Sequence, residues 1–432
     1  MPLENLSINN HSDRLSITGN EGTMKNIIFV MSLCLIMLIS TLLKRTEEQK
    51  KETFEGAFMT TLSAYGESIY AIKTDGTLWG WGQNGHNILQ TEETEALFPI
   101  KILDDVKSVS SADKSVVVVR MDDTLWGWGR NDFGQLGLGT NTETENIPVK
   151  IMDDVLDAVT FAWYTVVLKK DGSLWVSGEN TSGILANGTH SYNKRYQEDT
   201  DYGVHYSYEY INNDSNEFIK VMDNVQSFSA SSCNILAVDR NNSLWAWGEN
   251  SRKFFSNDIY EELLDSYGLI NGDAEQLFVY TPYKLMDDVR FASAVIDNFY
   301  ILKLGGELIE WESPTRQKTL LHDVKFVNAG VMCIAAITDD DSLYCRGLRN
   351  TGQDRNDFIK IATDVVYANV NGWFVAYIDK KNDLYCAGEN YDGTIGNGEK
   401  VFFPNFAPGA PIPFAESDFV YPPFKALTNV AY

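Results

Sequence analysis

The sequence predicts an all-β fold, a seven-bladed β-propeller of four-stranded blades preceded by one N-terminal transmembrane helix. Three observations predict it. A short tryptophan-rich string recurs seven times, a second landmark keeps a fixed distance from it, and one uncharged apolar run precedes the first copy.

The chain of 432 residues reads in order as a polar segment over 1–23, an anchor or signal over 24–45, a charged linker over 46–57 and the propeller over 58–432. Residues 27–43 (IIFVMSLCLIMLISTLL) carry no charge and are flanked by Lys25 and by Lys44 and Arg45. At about 1.5 Å per residue, a helix of this length just crosses a hydrocarbon core. A cleaved signal starting at Met24 is the alternative, but no Ala-x-Ala-like site follows the run. Counting flanking Lys and Arg places the large domain in the cytoplasm. Long domains translocate regardless of such charges, and the expectation is a single-pass membrane protein with an extracytoplasmic propeller.

The repeat begins with DGTLWGWGQN at residues 75–84 and returns as DDTLWGWGRN at 122–131, DGSLWVSGEN at 171–180 and NNSLWAWGEN at 241–250. Fainter copies lie at 305–313, 340–348 and 382–390, with anchoring leucines Leu78, Leu125, Leu174, Leu244, Leu308, Leu343 and Leu384. An Asp-Val or Asn-Val pair supplies the second landmark, ending at Val106, Val155, Val225, Val289, Val324, Val365 and Val430. From each of the first six valines to the next leucine the distance is 19 residues. Five residues before the valine stands a lysine in six of the seven cases, Thr319 being the exception. Such a register marks one structural unit repeated.

Each unit reads as four strands. The first opens at the D-V pair, and the second is an apolar run such as SVVVVRM. A two-residue Asp-Gly, Asp-Asp, Asn-Asn or Gly-Gly turn suits a type I′ hairpin into the third strand, TLWGWG. The fourth is P-x-K-I. Period-two alternation puts Leu78 and Gly80 on one side of the third strand, and Trp79 and Trp81 on the other. Glycines between tryptophans are expected to let neighbouring backbones approach closely. No unit can bury both faces alone, and a closed ring of blades solves this without long free edges. Residues 59–65 supply the first strand of blade 1. Residues 428–432 begin another copy, expected to abut blade 1 and help close the ring.

At 44% hydrophobic and 12% aromatic residues, the chain has ample material for a core. Its net charge of −25 lacks the basic footprint that phosphate binding needs, so no nucleic-acid partner is expected.

The string LWGWGRNDFGQLGLGT at residues 125–140 resembles the repeat of the regulator of chromosome condensation family, whose members form seven-bladed propellers. The resemblance covers roughly residues 59–432, is specific in the second repeat, and is partial in the first, third and seventh. Repeats five and six lack the GQLG element. The resemblance implies a recognition fold. The eukaryotic namesake promotes nucleotide exchange on a small GTPase at chromatin. No residue here carries that activity over, and the acidic charge argues against chromatin. Membrane-anchored or secreted bacterial relatives, including a β-lactamase inhibitory protein with tryptophan-rich repeats, are closer in character.

All length variation falls between the third and fourth strands, where the intervals are 21, 23, 44, 38, 9, 15 and 39 residues. Equivalent loops share one face, so a notch is expected over blades 5 and 6, walled by the loops of blades 4 and 7. The blade 3 insertion holds Tyr192, Tyr196, Tyr202, Tyr206, Tyr208 and Tyr210 among acidic residues. Tyrosine offers large contact area at little rotamer entropy. The blade 4 insertion carries Tyr260 and Tyr267 on a short helical pattern, and the blade 7 loop carries Phe402, Phe403, Phe406 and Phe414 among prolines. These aromatics either pack onto their own propeller or form a binding face. Loops on a rigid scaffold commonly carry function, which favours binding for the face as a whole.

Other signals are weak. The G-x-G-x-x-G match at residues 80–85 precedes a strand rather than a helix and is a by-product of the repeat. Cys345 and Cys386 replace the small residue two after the leucine and are expected to be buried. Ala336, rather than Cys333, is expected to oppose Cys345. No zinc spacing, nucleophile motif or cofactor motif occurs, so no metal, cofactor or catalytic residue is assigned. Asp339 to Asp341 read as a hairpin turn, and Trp79, Trp126, Trp175 and Trp245 as framework. The favoured function is a membrane-tethered module that binds a protein partner through the loops of blades 3, 4 and 7. Its membrane contact is residues 27–43. The alternatives are a carbohydrate- or cell-wall-binding propeller and, third, a hydrolase built on loop carboxylates.

Overall fold

The computed structural model describes residues 62–65, 68–112, 114–200, 203–250, 254–255, 278–295, 298–330, 332–347, 356–371, 374–389 and 419–427. The chain divides at residues 57 and 58, and these residues all lie in the second unit. The expected anchor at 27–43 lies outside them. Among the described residues, no helix is long and apolar enough to cross a membrane.

The second unit is a seven-bladed β-propeller. Blade 1 contains β1 (Leu62–Tyr65), β2 (Ser68–Ile72), β3 (Leu78–Gln83) and β4 (Glu95–Leu103). Blade 2 contains β5 (Val106–Ala112), β6 (Ser115–Arg120), β7 (Leu125–Arg130) and β8 (Thr144–Met152). In blade 3, β9 (Val155–Thr160), β10 (Tyr164–Lys169) and β11 (Leu174–Gly178) precede an extra hairpin, β12 (Tyr192–Thr200) and β13 (Gly203–Ile211), and β14 (Ser215–Met222) completes the sheet. Blade 4 runs through β15 (Val225–Ala230), β16 (Asn234–Asp239), β17 (Leu244–Glu249) and β18 (Phe278–Met286). Blade 5 holds β19 (Val289–Ala294), β20 (Phe299–Lys303), β21 (Leu308–Ser313) and β22 (Arg316–Leu321). Blade 6 holds β23 (Val324–Ala329), β24 (Ile334–Thr338), β25 (Leu343–Arg346) and β26 (Ile359–Ala362). Blade 7 ends the ring with β27 (Val365–Asn371), β28 (Phe374–Asp379), β29 (Leu384–Glu389) and β30 (Phe419–Leu427).

Every blade is an antiparallel meander, so its first turn and its third-to-fourth-strand loop emerge on one face. We call this the loop face; the second turn and the link to the next blade lie on the other. The expected register holds among the described residues, since each anchoring leucine opens a third strand and each of the first six landmark valines opens a first strand. Both are fully buried: Leu78, Leu125, Leu174, Val106, Val155 and Val289 are at 0% exposure.

The ring closes by packing. One core cluster joins Trp81, Val109 and Trp128 of blades 1 and 2 to Phe326, Ala368 and Val375 of blades 6 and 7. A polar belt runs alongside it on the inner strands. Ser111 N–H donates to Ser63 Oγ (2.9 Å), Thr160 N–H to Ser110 Oγ (3.1 Å), Ala294 N–H to Ser229 Oγ (3.0 Å) and Ala329 N–H to Ser293 Oγ (3.1 Å). Val370 N–H donates to Asn328 Oδ1 at 3.1 Å. Four of these acceptors stand four residues after the landmark valine, and Ser63 stands four after Met59. At that place blade 3 has Val159, which offers no acceptor to blade 4.

Three local expectations are corrected. The turns between second and third strands have one left-handed residue rather than two: Gly76 (φ 80), Asp123 (φ 61), Gly172 (φ 86) and Asn242 (φ 62). Lys73 N–H donates to Thr77 O and Gly76 N–H to Lys73 O, which makes a three-residue loop with a left-handed last position instead of a type I′ turn. The glycine between tryptophans admits side chains, not a neighbouring backbone. A Cβ on Gly80 would stand 2.7 Å from Ile102 Cδ1 and 3.0 Å from Leu89 Cδ2. Finally, Ala335 opposes Cys345, one place from the expected Ala336, because the strands pair Ile337 with Leu343. Cys345 and Cys386 are buried as expected.

Candidate interaction face

The loops of blades 1 to 4 are tied at their roots by one asparagine each. Asn84, Asn131, Asn180 and Asn250 accept through Oδ1 the backbone N–H of the residue five later. Those donors are Leu89 (2.7 Å), Leu136 (2.9 Å), Leu185 (3.0 Å) and Phe255 (3.1 Å). The amide's other end, Nδ2, donates onward to Thr91 O, Thr140 O and Thr189 O in the first three. The tie folds the side chain of residue five back over the small residue in the third strand and buries it.

The same fold-back presents a carbonyl to the next blade. Trp128 Nε1–H donates to Ile88 O (2.9 Å), Trp247 Nε1–H to Ile184 O (2.8 Å) and Trp311 Nε1–H to Phe254 O (3.0 Å). Blade 3 has Ser177 instead of tryptophan, and its hydroxyl donates to the equivalent carbonyl, Gln135 O, at 3.1 Å. Loops therefore lean forward onto the following blade, as His86 does on Thr144 (2.7 Å) and Asn141 on Asn216 (2.7 Å).

Blade 5 breaks this pattern. Its loop is reduced to Pro314 and Thr315, so no fold-back residue covers the third strand. Glu310 occupies the small-residue place, at 8% exposure. It accepts from Tyr300 Oη–H at 3.0 Å and from Arg346 Nη1 at 3.2 Å. Arg346 stands three after its leucine, where blades 1, 2, 4 and 5 place the second tryptophan. An ion pair thus replaces the indole-to-carbonyl bond between blades 5 and 6. Burial first, then the nearby Glu310 carboxylate, push the Tyr300 hydroxyl up to about 12.

The blade 3 insertion is the most developed part of the loop face. β12 and β13 pair over nine positions without a bulge, from Tyr192 opposite Ile211 to Thr200 opposite Gly203. The root is polar on one side: Ser191 Oγ–H donates to Asp214 Oδ1 (2.6 Å), which also accepts Asn180 N–H (2.8 Å). On the other side it is aromatic. His190 stacks on Tyr192 (4.9 Å) and on Tyr280 of blade 4 (5.1 Å), and Gly188 N–H donates to Tyr280 O. Burial holds the His190 imidazole below its ordinary value, so it packs as a neutral ring.

Of the expected tyrosines, Tyr192, Tyr208 and Tyr210 are exposed at 41%, 65% and 48%. Tyr196 lies on β12 and Tyr206 on β13. Tyr192 pairs with Ile211 and Tyr210 with Asn193, so Tyr192 and Tyr210 stand on opposite faces of the ribbon. Tyr202, Tyr260, Tyr267, Phe402, Phe403, Phe406 and Phe414 lie outside the described residues, as do the expected blade 4 helix and residues 428–432.

Sequence reasoning missed the surroundings of that ribbon. Trp163, in the first turn of blade 3, is 39% exposed on the same face. The string Phe-Ala-Trp-Tyr at 161–164 puts an aromatic in a turn, and that signal was available. Carboxylates gather at the root. Burial, then the Asp214 charge, raise Glu179, with Arg130 opposing. Tyr210 is raised by burial and by Asp214 and Glu179. Burial, then the hydrogen bond to and charge of Glu249, push the Cys233 thiol up to about 12. Among the described residues, no group of three or more His, Cys, Asp or Glu could hold a metal ion.

The regulator of chromosome condensation (RCC1) repeat matches residues 122–163, from the second turn of blade 2 into the first turn of blade 3. No curated protein sequence matches the chain. Prp20p from Saccharomyces cerevisiae, described together with its binding properties to Gsp1p and histones, superposes with a TM-score of 0.60 at 13% identity, over 88% of this chain and 89% of that one. Yeast RCC1 (Prp20), solved bound to Kap60, gives 0.58 at 14% identity over 81% of this chain and 83% of its own. Human WBSCR16 gives 0.55 at 16% identity over 73% and 84%. The described unit is thus an RCC1-like seven-bladed β-propeller, with the repeat itself matched over residues 122–163.

Proposed function

We propose that this propeller is a protein-recognition module, of the bacterial membrane-anchored kind, that binds its partner with the loop face and not an enzyme. The carrying observation is the β12–β13 ribbon: three exposed tyrosines on a hairpin whose root is fixed by the His190 stack and by Asp214. A rigid root lowers the ordering cost of binding, and exposed tyrosines supply area. The long insertions of blades 4 and 7 connect strands whose ends lie at the same face. Residues 27–43 serve as the tether and place the propeller outside the cytoplasm.

A photoreactive residue at Tyr208, with Met121 on the opposite face as control, tests the face in intact cells. Covalent protein adducts are expected from position 208 and not from 121. Equal yields from both positions would overturn the reading, and glycan adducts at 208 alone would convert it to carbohydrate binding. Protease added to intact cells tests the tether, with digestion of the propeller expected before lysis.

A further inference from the structure

The β12–β13 ribbon is a two-stranded sheet separate from every blade sheet. Each strand has nine residues, and each pairs on one side only among the described residues. Alternate N–H and C=O groups of both strands therefore face outward, a template for another strand. A two-stranded sheet is also marginal alone, so adding a strand stabilises it.

Charge decides what kind of strand fits. Residues 192–217 contain six carboxylates against two cations, Lys194 and Arg195. At the root, the fields of Glu179, Asp214 and Glu249 act on Tyr210 and Cys233, both of which feel net negative surroundings. The chain as a whole carries −25. An acidic segment would meet net repulsion, whereas Lys or Arg beside Tyr208, Tyr210 or Trp163 gains both charge pairing and a cation–π contact.

We propose that the partner adds a third strand to the β12–β13 ribbon, and that this strand is a basic extended segment alternating Lys or Arg with β-branched residues. This rests on the loop face being the recognition surface. Main-chain hydrogen bonds hold the segment, while the carboxylates select its charge.

The test uses the full chain in detergent micelles and two labelled peptides of about eight residues, one alternating Lys with Val and one alternating Glu with Val. Fluorescence anisotropy reads affinity and hydrogen exchange reads backbone pairing. The Lys peptide is expected to bind at least about tenfold more tightly, to weaken as salt rises from about 0.05 to about 0.3 M, and to protect amides within residues 192–211. Glu209→Lys and Tyr208→Ala, both at exposed positions that leave the root intact, are each expected to weaken it about threefold or more. Equal binding of the two peptides, or binding without new protection in 192–211, overturns the proposal. If neither peptide binds while cross-linking from position 208 still captures protein, the basic-strand proposal falls and the recognition reading stands. If both fail, both fall.

Discussion

Asn131 holds its loop with both ends of one amide, accepting Leu136 N–H and donating to Thr140 O, while fully buried. Asn131→Ala leaves a buried N–H without a partner and is expected to cost about 1–3 kcal/mol. Urea unfolding measures that loss. Asp157 presents the opposite situation. Its carboxylate is buried and, among the described residues, accepts Ala158 N–H (2.9 Å), and desolvation raises its pKa to about 7. The folded state therefore holds its proton more tightly than the unfolded chain. Its contribution is neutral below the ordinary carboxylate range and becomes increasingly destabilising as pH rises from about 4 to about 7. Asp157→Asn is expected to gain up to a few kcal/mol over the parent at pH 8, at about 1.4 kcal/mol per unit. At pH 4 the gain should vanish, and a pH-independent difference between the two proteins would refute this. At this scale the sequence was only partly legible. The asparagine that ends each TLWGWGxN string was visible, but its role depends on where the loop five residues later folds back.

Elements meet at seams, and the seams differ. Three tryptophans and Ser177 bind the preceding loop, whereas Arg346 binds Glu310. Removing one member of a buried pair strands the other charge, so Glu310→Leu or Arg346→Met alone is expected to cost about 3–5 kcal/mol. The double variant should be more stable than either single variant, because apolar groups of similar size suit the site. Additive losses in thermal unfolding would contradict this. The belt around the inner strands makes a second prediction. Val159→Ser places an acceptor where blade 3 lacks one, and is expected to stabilise by about 0.5–1 kcal/mol net of the lost apolar packing. The strands themselves were legible because their 19-residue spacing and period-two burial are local properties. The hairpin turns were misread because Asp-Gly serves both turn types, and the third loop residue settles which one forms. The Glu310–Arg346 pair joins residues 36 apart on different blades, beyond any local pattern.

For the whole molecule, the blade count, the closed ring and the shared face of the insertions all followed from register and loop length. The site was less accessible. Tyr208 and Tyr210 stand exposed, but their division from Tyr192 required the ribbon's pairing, and the carboxylates that act on Tyr210, Glu179 and Asp214, lie at the two ends of the insertion. The net charge of −25 also gives a prediction at this scale. Association with a basic partner should slow markedly between about 0.05 and 0.5 M salt, chiefly through the on-rate. Stopped-flow mixing would reveal it, and a salt-insensitive on-rate would count against electrostatic steering.

Because the loops of blades 1 to 4 each lean on the following blade, the natural cassette there is not the blade. A loop and the tryptophan that receives it belong to one blade and the next, so they must be inherited together. The short loop of blade 5 is matched in blade 6, where an arginine stands in place of the indole. A recombination experiment that exchanges blades should therefore cut at the end of a third strand, after the second tryptophan and before the loop that follows it. Chimeras cut at the blade-to-blade links would pair each loop with a stranger's receptor.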